Sequence, residues 1–255
     1  MPNHRLIPFG DNIWIVAGKT VPFFGLPYST RMTVVRLDDG TLWLHSPIEL
    51  SRELLEEVKA LGEVSYLLAP NSLHHLFVKD WQQAFPNALS YATEELAKKR
   101  SDLHFDQLLL SELADSQHNA KAPWLDELDF CLFQGSPVMQ EAVFFHRHSR
   151  TLILTDLIEN FQPECFKAWQ RPLARISGIL APNGKTPLDW RLSFSFGKPQ
   201  ARKALATILG WRAEKLIIAH GECQSRDATA LSAVHSPGLG TLTTDRHSSI
   251  NQQDC

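Results

Sequence analysis

Hydrophobic residues alternate with polar ones, or run together, in short segments near the start of the chain. "NIWIVAG" (12–18), "RMTVVRL" (31–37) and "TLWLHS" (41–46) read as strands, and "DDG" at 38–40 predicts a hairpin turn between the last two. The period then changes. In "SPIELSRELLEEVKALG", Leu50, Leu54, Leu55, Val58 and Leu61 recur at helical spacing, with Ser46 and Pro47 as the predicted cap and Gly62 as the stop. "VSYLLAP" (64–70) is a continuous apolar run, suited to a strand buried on both faces.

Further along, "LFVKDWQQAF" reads as a helix stopped by Pro86 and Asn87. "ALSYAT" reads as a short strand, and "TEELAKKR" as a helix capped by Thr93. Residues 101–125 are the least regular, with "DSQHNAKAP" a surface loop. "ELDFCLF" (127–133), "EAVFFH" (141–146) and "TLILTDL" (151–157) are strands again. Residues 163–210 turn helical, in "PECFKAWQRPLARISGIL", "TPLDWRLSF" and "GKPQARKALATILG", before a last buried strand, "EKLIIAHGE" (214–222). From 234 the chain loses apolar periodicity, so we expect one domain over 1–233 and a disordered tail over 234–255. The order of elements suits two packed sheets with helices outside better than a doubly wound sheet.

Composition narrows the function classes. A chain of 255 residues, 44% hydrophobic and 21% charged, has the balance of a globular protein able to bury its core without staples. The net charge of −3 hides an imbalance. Residues 161–220 carry ten Lys and Arg against three Asp and Glu. Such a segment either attracts an anionic substrate, a phosphate or a membrane surface, or is a solvated helical face. Cys131, Cys165, Cys223 and Cys255 are widely spaced with no CxxC pair, so no disulfide framework and a cytoplasmic location are expected. The N-terminus lacks the apolar stretch of a signal peptide, and no run nears the roughly 18 residues of a membrane span. No Walker loop, G-x-G-x-x-G or G-x-S-x-G motif is present, and no nucleic-acid partner is expected.

The candidate chemistry lies at strand ends. "VSYLLAPNSLHH" ends in His74 and His75, "TLILTD" in Asp156, and "KLIIAHGE" in His220 with Glu222 close by. Neighbouring strand ends open onto one edge of a sheet, so these side chains can converge. Imidazoles with a carboxylate suit one divalent metal, zinc first, with iron or manganese as alternatives. Taken singly, each histidine could equally be a hydrogen-bonded core residue, and Asp156 a helix cap. His45, at another strand end, is a candidate for the pocket wall, whereas His146 and His148 in "FFHRHSR" are expected to be exposed in a turn. Cys223 could be a ligand or a redox-sensitive thiol, and "NGKTPLDWR" (183–191) could reach over the site. "FKAWQRPLARISGIL" is expected to pack against the sandwich rather than lie on a membrane.

The phrases "IPFGDNIWI", "TRMTVVRL", "APNSLHHLF", "VFFHRHSRTLILTDLIENF", "APNGKTPLDWRLSF" and "IIAHGE" resemble a family catalogued as domain of unknown function 4336, a branch of the metallo-β-lactamase fold. The resemblance implies an α/β (α+β) chain folded as a four-layer αβ/βα sandwich. Set against the superfamily motif H-x-H-x-D-H, the first two histidines fall on Pro70 and Ser72, the aspartate on His74 and the last histidine on His75. The turn that normally carries a further histidine is "QGSPVMQ" (134–140), the bridging aspartate matches Asp156, and the final histidine matches His220. The resemblance thus implies that the first of two metal sites is lost. The second would be made by His74, His75, Asp156 and His220. The superfamily typically uses its metal to activate water for hydrolysis. A metal-dependent hydrolase of a small, anionic substrate is therefore one expectation, with Glu222 as proton shuttle. A binding or scaffold protein with a structural or lost metal site is the other. Four protein ligands would close a zinc tetrahedron and favour the second.

Overall fold

The computed structural model describes residues 5–23, 25–114 and 122–225, together with two short strands at 232–233 and 242–243. Apart from the strand at 242–243, the expected tail lies outside the described residues, as does most of the "DSQHNAKAP" loop.

The first half of the chain builds a seven-stranded sheet. Its strands are β1 (Ile7–Gly10), β2 (Ile13–Ala17), β5 (Arg31–Arg36), β6 (Leu42–His45), β7 (Val64–Ala69), β8 (Leu89–Ala92) and β9 (Gln107–Leu108), paired in that order. Between β2 and β5 a small hairpin, β3 (Val21–Phe23) with β4 (Leu26–Tyr28), stands off the sheet. The second half builds a four-stranded sheet from β10 (Leu128–Phe133), β11 (Glu141–His146), β12 (Thr151–Ile153) and β13 (Lys215–Ile217). The strands at 232–233 and 242–243, β14 and β15, pair with each other.

The alternation of the strands divides their side chains between two cores. Ile13 and Ile15 of β2, Val35 of β5 and Trp43 of β6 face the second sheet and pack into one cluster with Phe130, Phe144 and Leu152. Val16, Val34, Leu42 and Leu44 point the other way, onto the helix α1 (Arg52–Leu61) through Leu54 and Val58, and onto Trp81 of α2 (Val78–Ala84). The helix α6 (Lys198–Gly210) adds Ala201, Ala204, Leu205 and Ile208 to the inter-sheet cluster. The remaining helices are α3 (Glu94–Lys99), α4 (Arg171–Ser177) and α5 (Leu188–Ser193).

Several local expectations change. The cap of α1 is Ser51, whose Oγ accepts from Leu54 N, and not Ser46. Thr93 does cap α3. Residues 163–180 hold only the single-turn Pro163–Cys165 and α4, since Pro172 fits the first turn of a helix but Gly178, at φ +84°, ends it. The basic residues of 161–220 lie exposed or half-buried. Cys131 and Cys223 are free thiols, but Cys165 is disulfide-bonded, which the wide cysteine spacing does not suggest. Among the described residues no helix is long and apolar enough to cross a membrane.

Two parallel pairings place the site. β6 runs parallel to β7, and β12 runs parallel to β13. The carboxyl ends of each pair therefore emerge together. Pro70 O, just beyond β7, accepts from Ala142 N of β11 and ties the two sheets at this edge.

Candidate metal centre

His74, Asp156 and His220 come together where the chain leaves β7, β12 and β13. One ligand atom from each lies within 4.8 Å of the other two. His74 Nε2 is 3.2 Å from Asp156 Oδ2, and His220 Nε2 is 2.7 Å from Asp156 Oδ1. The three side chains sit on the floor of a cleft of about 840 Å³.

Each member is held from behind. His220 Nδ1–H donates to Ser29 O at 2.6 Å, a carbonyl that can only accept, so Nε2 is the nitrogen left to face Asp156. His74 Nδ1 lies 2.6 Å from Ser46 Oγ. Ser46 is thus the support of a site histidine, in place of the helix cap predicted for it. The rings of Tyr28 and Phe161 flank His220, one edge-on at 4.9 Å and the other stacked at 6.2 Å. Asn71 couples the two loops. Its Nδ2 donates to Asp156 Oδ2 at 2.6 Å, while its Oδ1 accepts from Leu73 N and His74 N. Glu141, fully buried on β11, accepts from the backbone N–H groups of Thr155, Asp156 and Leu157 and so fixes the turn that carries Asp156.

The electrostatics follow from burial and pairing. Burial alone would raise the Asp156 carboxyl, but His74 and His220 hold it well below the usual carboxylate range. For His220 burial opposes the charged form, and Asp156 overcomes it and raises the imidazole. Two ring nitrogens and a carboxylate packed this closely need a cation among them, either a proton or a metal. The donor set fits a divalent metal. Neighbouring ligand atoms around a tetrahedral zinc sit roughly 3.3 Å apart, so the three groups, within 4.8 Å of one another, would draw together around an ion.

His75 does not join the group. Arg100 Nη1 donates to His75 Nδ1 at 2.8 Å, and Arg100 is itself held by Asp102 through two contacts of 2.7 Å. Because a guanidinium only donates, His75 Nδ1 must accept, and in the neutral ring the proton then sits on Nε2. Burial first, then Lys99 and Arg100, hold this imidazole down to about 4. Neither nitrogen offers a free lone pair in this arrangement, which corrects the four-ligand expectation.

Glu222 is also placed elsewhere. It lines a separate small cavity with Arg31, Gln162 and Cys223, not the cleft. Burial raises its carboxyl and Arg31 opposes the rise. Cys223, also outside the group, is buried with its Sγ on Ile218 O. His45 is buried against Trp43 and Phe144 and does not reach the cleft wall. His146 is buried on Ser149 rather than exposed, whereas His148 is exposed as expected. The segment 183–191 does reach the site, with Pro187, Leu188, Asp189 and Trp190 in the cleft wall.

The carboxylate that the sequence reading missed is Glu159. It is buried in the cleft wall, accepts a hydrogen bond from Tyr28 Oη at 3.2 Å, and is pushed up to about 8 by burial, with His220 opposing and Asp156 adding to the rise. Its place three residues after Asp156 in "TDLIEN" was the available signal.

The model of the family described as domain of unknown function (DUF4336) matches residues 11–182. The chain belongs to the DUF4336 family. No curated protein matches it. Among solved structures, this DUF4336 chain is similar to a metallo-β-lactamase from Hirschia baltica, at 12% identity and a TM-score of 0.57, covering 86% of this chain and 91% of the other. It is likewise similar to a metallo-β-lactamase from Pontibacter korlensis, at 15% identity and a TM-score of 0.57, over 86% and 92% of the two chains. A third is FIM-1 from Pseudomonas aeruginosa in its mono-zinc form, at 10% identity and a TM-score of 0.56, over 86% and 88%. The fold of this DUF4336 protein is therefore the metallo-β-lactamase sandwich, with a reduced, single metal site of two histidines and one aspartate.

Proposed function

We propose that this protein is a hydrolase dependent on one divalent metal, zinc in the first instance, held by His74, Asp156 and His220. The observation that carries the reading is the number of ligands. Three protein ligands at the floor of an open cleft leave a coordination position for substrate or water, which is the pattern of catalytic rather than structural zinc. The nitrogen-rich donor set suits zinc, and the likeness to a mono-zinc metallo-β-lactamase supports a single ion. When bound, the metal would supply Lewis acidity toward a carbonyl or phosphoryl oxygen.

The chain's own residues supply the rest. Ser29 O and Ser46 Oγ orient the two imidazoles, and Asn71 and Glu141 orient Asp156. Glu159 Oε2, hydrogen-bonded to Tyr28, is the group placed to hold and return a proton beside the centre. This role replaces the one expected of Glu222.

The test is metal analysis of protein purified without chelators, paired with an ester and amide hydrolysis screen. About one equivalent of metal, lost together with turnover in Asp156→Ala and His220→Ala, is expected. Less than about a tenth of an equivalent, with the fold intact after zinc is offered, would leave a His–Asp–His proton network or a binding protein as the better reading.

A further inference from the structure

The cleft lining is mostly apolar, with a cluster of titratable groups at the floor. Around the floor stand His74, Asp156, His220 and Glu159, whereas the walls come from three apolar stretches distant in sequence. The β3–β4 hairpin contributes Val21, Phe23 and Leu26, and the loop after β7 contributes Leu76. The helices α4 and α5 contribute Leu173, Ile176 and Leu192. Among the described residues Lys99 is the sole lysine or arginine in the lining, and Asp189 balances its charge, so the described walls offer little to hold an anion.

Two further observations fix the shape of the ligand. A volume of about 840 Å³ lies toward the upper end of the roughly 300–1,000 Å³ of small-molecule sites, far more than a compact polar metabolite fills. The apolar wall also continues to the rim. α4 buries only Ala174, and Leu173 and Ile176 stand 58% and 67% exposed while still lining the cleft. Adjacent large aliphatics left in water on one helical turn mark a surface that meets an apolar partner.

We infer that the substrate is an amphiphile, an ester of an apolar acyl chain of about eight or more carbons, with the ester at the His74–Asp156–His220 floor and the chain along the α4–α5 wall. The inference rests on the hydrolase reading for the scissile bond and on the walls alone for the chain. In the reaction the oxygen of water bonds to the acyl carbon as the bond to the leaving oxygen breaks. The leaving oxygen takes one proton, and the second is released with the carboxylate product.

Binding and turnover test the two parts separately. Zinc-loaded protein is titrated calorimetrically with saturated carboxylates of four, six, eight and ten carbons, and its turnover is measured on the p-nitrophenyl esters of the same acids. Each added methylene is expected to tighten binding by roughly two- to fourfold, and so by at least tenfold between four and eight carbons. Leu173→Ser with Ile176→Ser, both at exposed positions that tolerate polar replacement, is expected to flatten that dependence. Chain-dependent binding without ester turnover would remove the hydrolase reading and leave the apolar-chain site standing. Turnover or binding indifferent to chain length would overturn the inference and leave the hydrolase reading intact. A dimer that Ile176→Asp dissociates would also overturn it, because the rim would then be a contact between two copies of this chain.

Discussion

Glu141 is the buried carboxylate on which the Asp156 turn is built. One oxygen accepts from Thr155 N at 2.7 Å, and the other accepts from Asp156 N and Leu157 N at 2.9 Å each. Glu141→Gln keeps the size and shape but leaves a single acceptor. With that oxygen on Asp156 and Leu157, the new NH2 faces the Thr155 N–H, donor against donor; flipped, the side chain abandons two bonds. A buried N–H left unsatisfied costs about 1–3 kcal/mol. Burial first, then Asp156, push the Glu141 carboxyl up to about 7, so above that pH, where it is ionised, the surviving bonds also lose their charge assistance, which adds roughly 1 kcal/mol. The expected loss is therefore about 2–4 kcal/mol, a large share of the roughly 5–15 kcal/mol that holds a domain together. Urea unfolding in excess chelator isolates this effect from metal binding. With a slope of about 3 kcal/mol/M for a chain of this size, the midpoint should fall by roughly 1 M. Glu141→Ala strands all three N–H groups and should leave little folded protein. A Gln variant whose midpoint stays within about 0.3 M of the wild type would refute the view that this carboxylate holds the turn.

Other outcomes follow from the same geometry. His75→Ala should keep about one equivalent of metal, because Arg100 already occupies its Nδ1; loss of metal comparable to His220→Ala would restore it to the ligand set. Gly221→Ala should lower metal content and melting temperature together. Gly221 holds φ at +92°, and an added Cβ would come within 2.2 Å of Asn160 O, displacing the neighbouring His220; unchanged metal content would contradict this. His146 supplies a pH dependence away from the metal site. Burial first, then His148 and Lys215, hold its imidazole down to about 4 against the opposing pull of Asp38. The unfolded ring titrates near 6.5, so the native state binds fewer protons between the two values. Its contribution is present above about pH 6.5 and is lost as pH falls toward 4, at most about 3 kcal/mol in all. His146→Gln should flatten the fall in unfolding free energy between pH 7 and pH 4 relative to the wild type, and parallel curves would count against it.

The sheets were legible because their strands obey a period of two under heavy burial, as Ile13, Ile15 and Val16 of β2 show by dividing between two cores. The metal position was legible for the same reason, since strand ends are fixed once strands are. What failed was the direction taken by individual side chains beyond the strand ends. His74 and His75 are adjacent and chemically identical, and partners far off in sequence, Ser46 on the one and Arg100, twenty-five residues on, on the other, separate them. Glu222 and Glu159 pose the same problem. Both stand a few residues beyond a ligand, and the turn at Gly221 sends Glu222 into another cavity while Glu159 stays in the cleft. The helical pattern over 163–180 overreached because α4 is amphipathic about a cleft rather than a core, so its aliphatic residues give no measure of how far it extends.

The turn of His75 toward Arg100 decides more than a ligand count. With four protein ligands the centre would be closed, and its chemistry would be structural. Arg100 removes one imidazole by hydrogen bonding to it and is itself fixed by Asp102 at the surface. Arg100 is itself part of neither the metal floor nor the cleft lining, and it acts on the centre through His75, which lines the cleft. Arg100→Ala tests that dependence. Freed of its donor, His75 Nδ1 regains a lone pair, and if the ring can reach the centre, zinc should bind more tightly while turnover falls. A variant with tighter metal and lower activity marks Arg100 as the positioning residue that keeps the site open. Unchanged affinity and unchanged turnover would mean that the loop backbone alone holds His75 away.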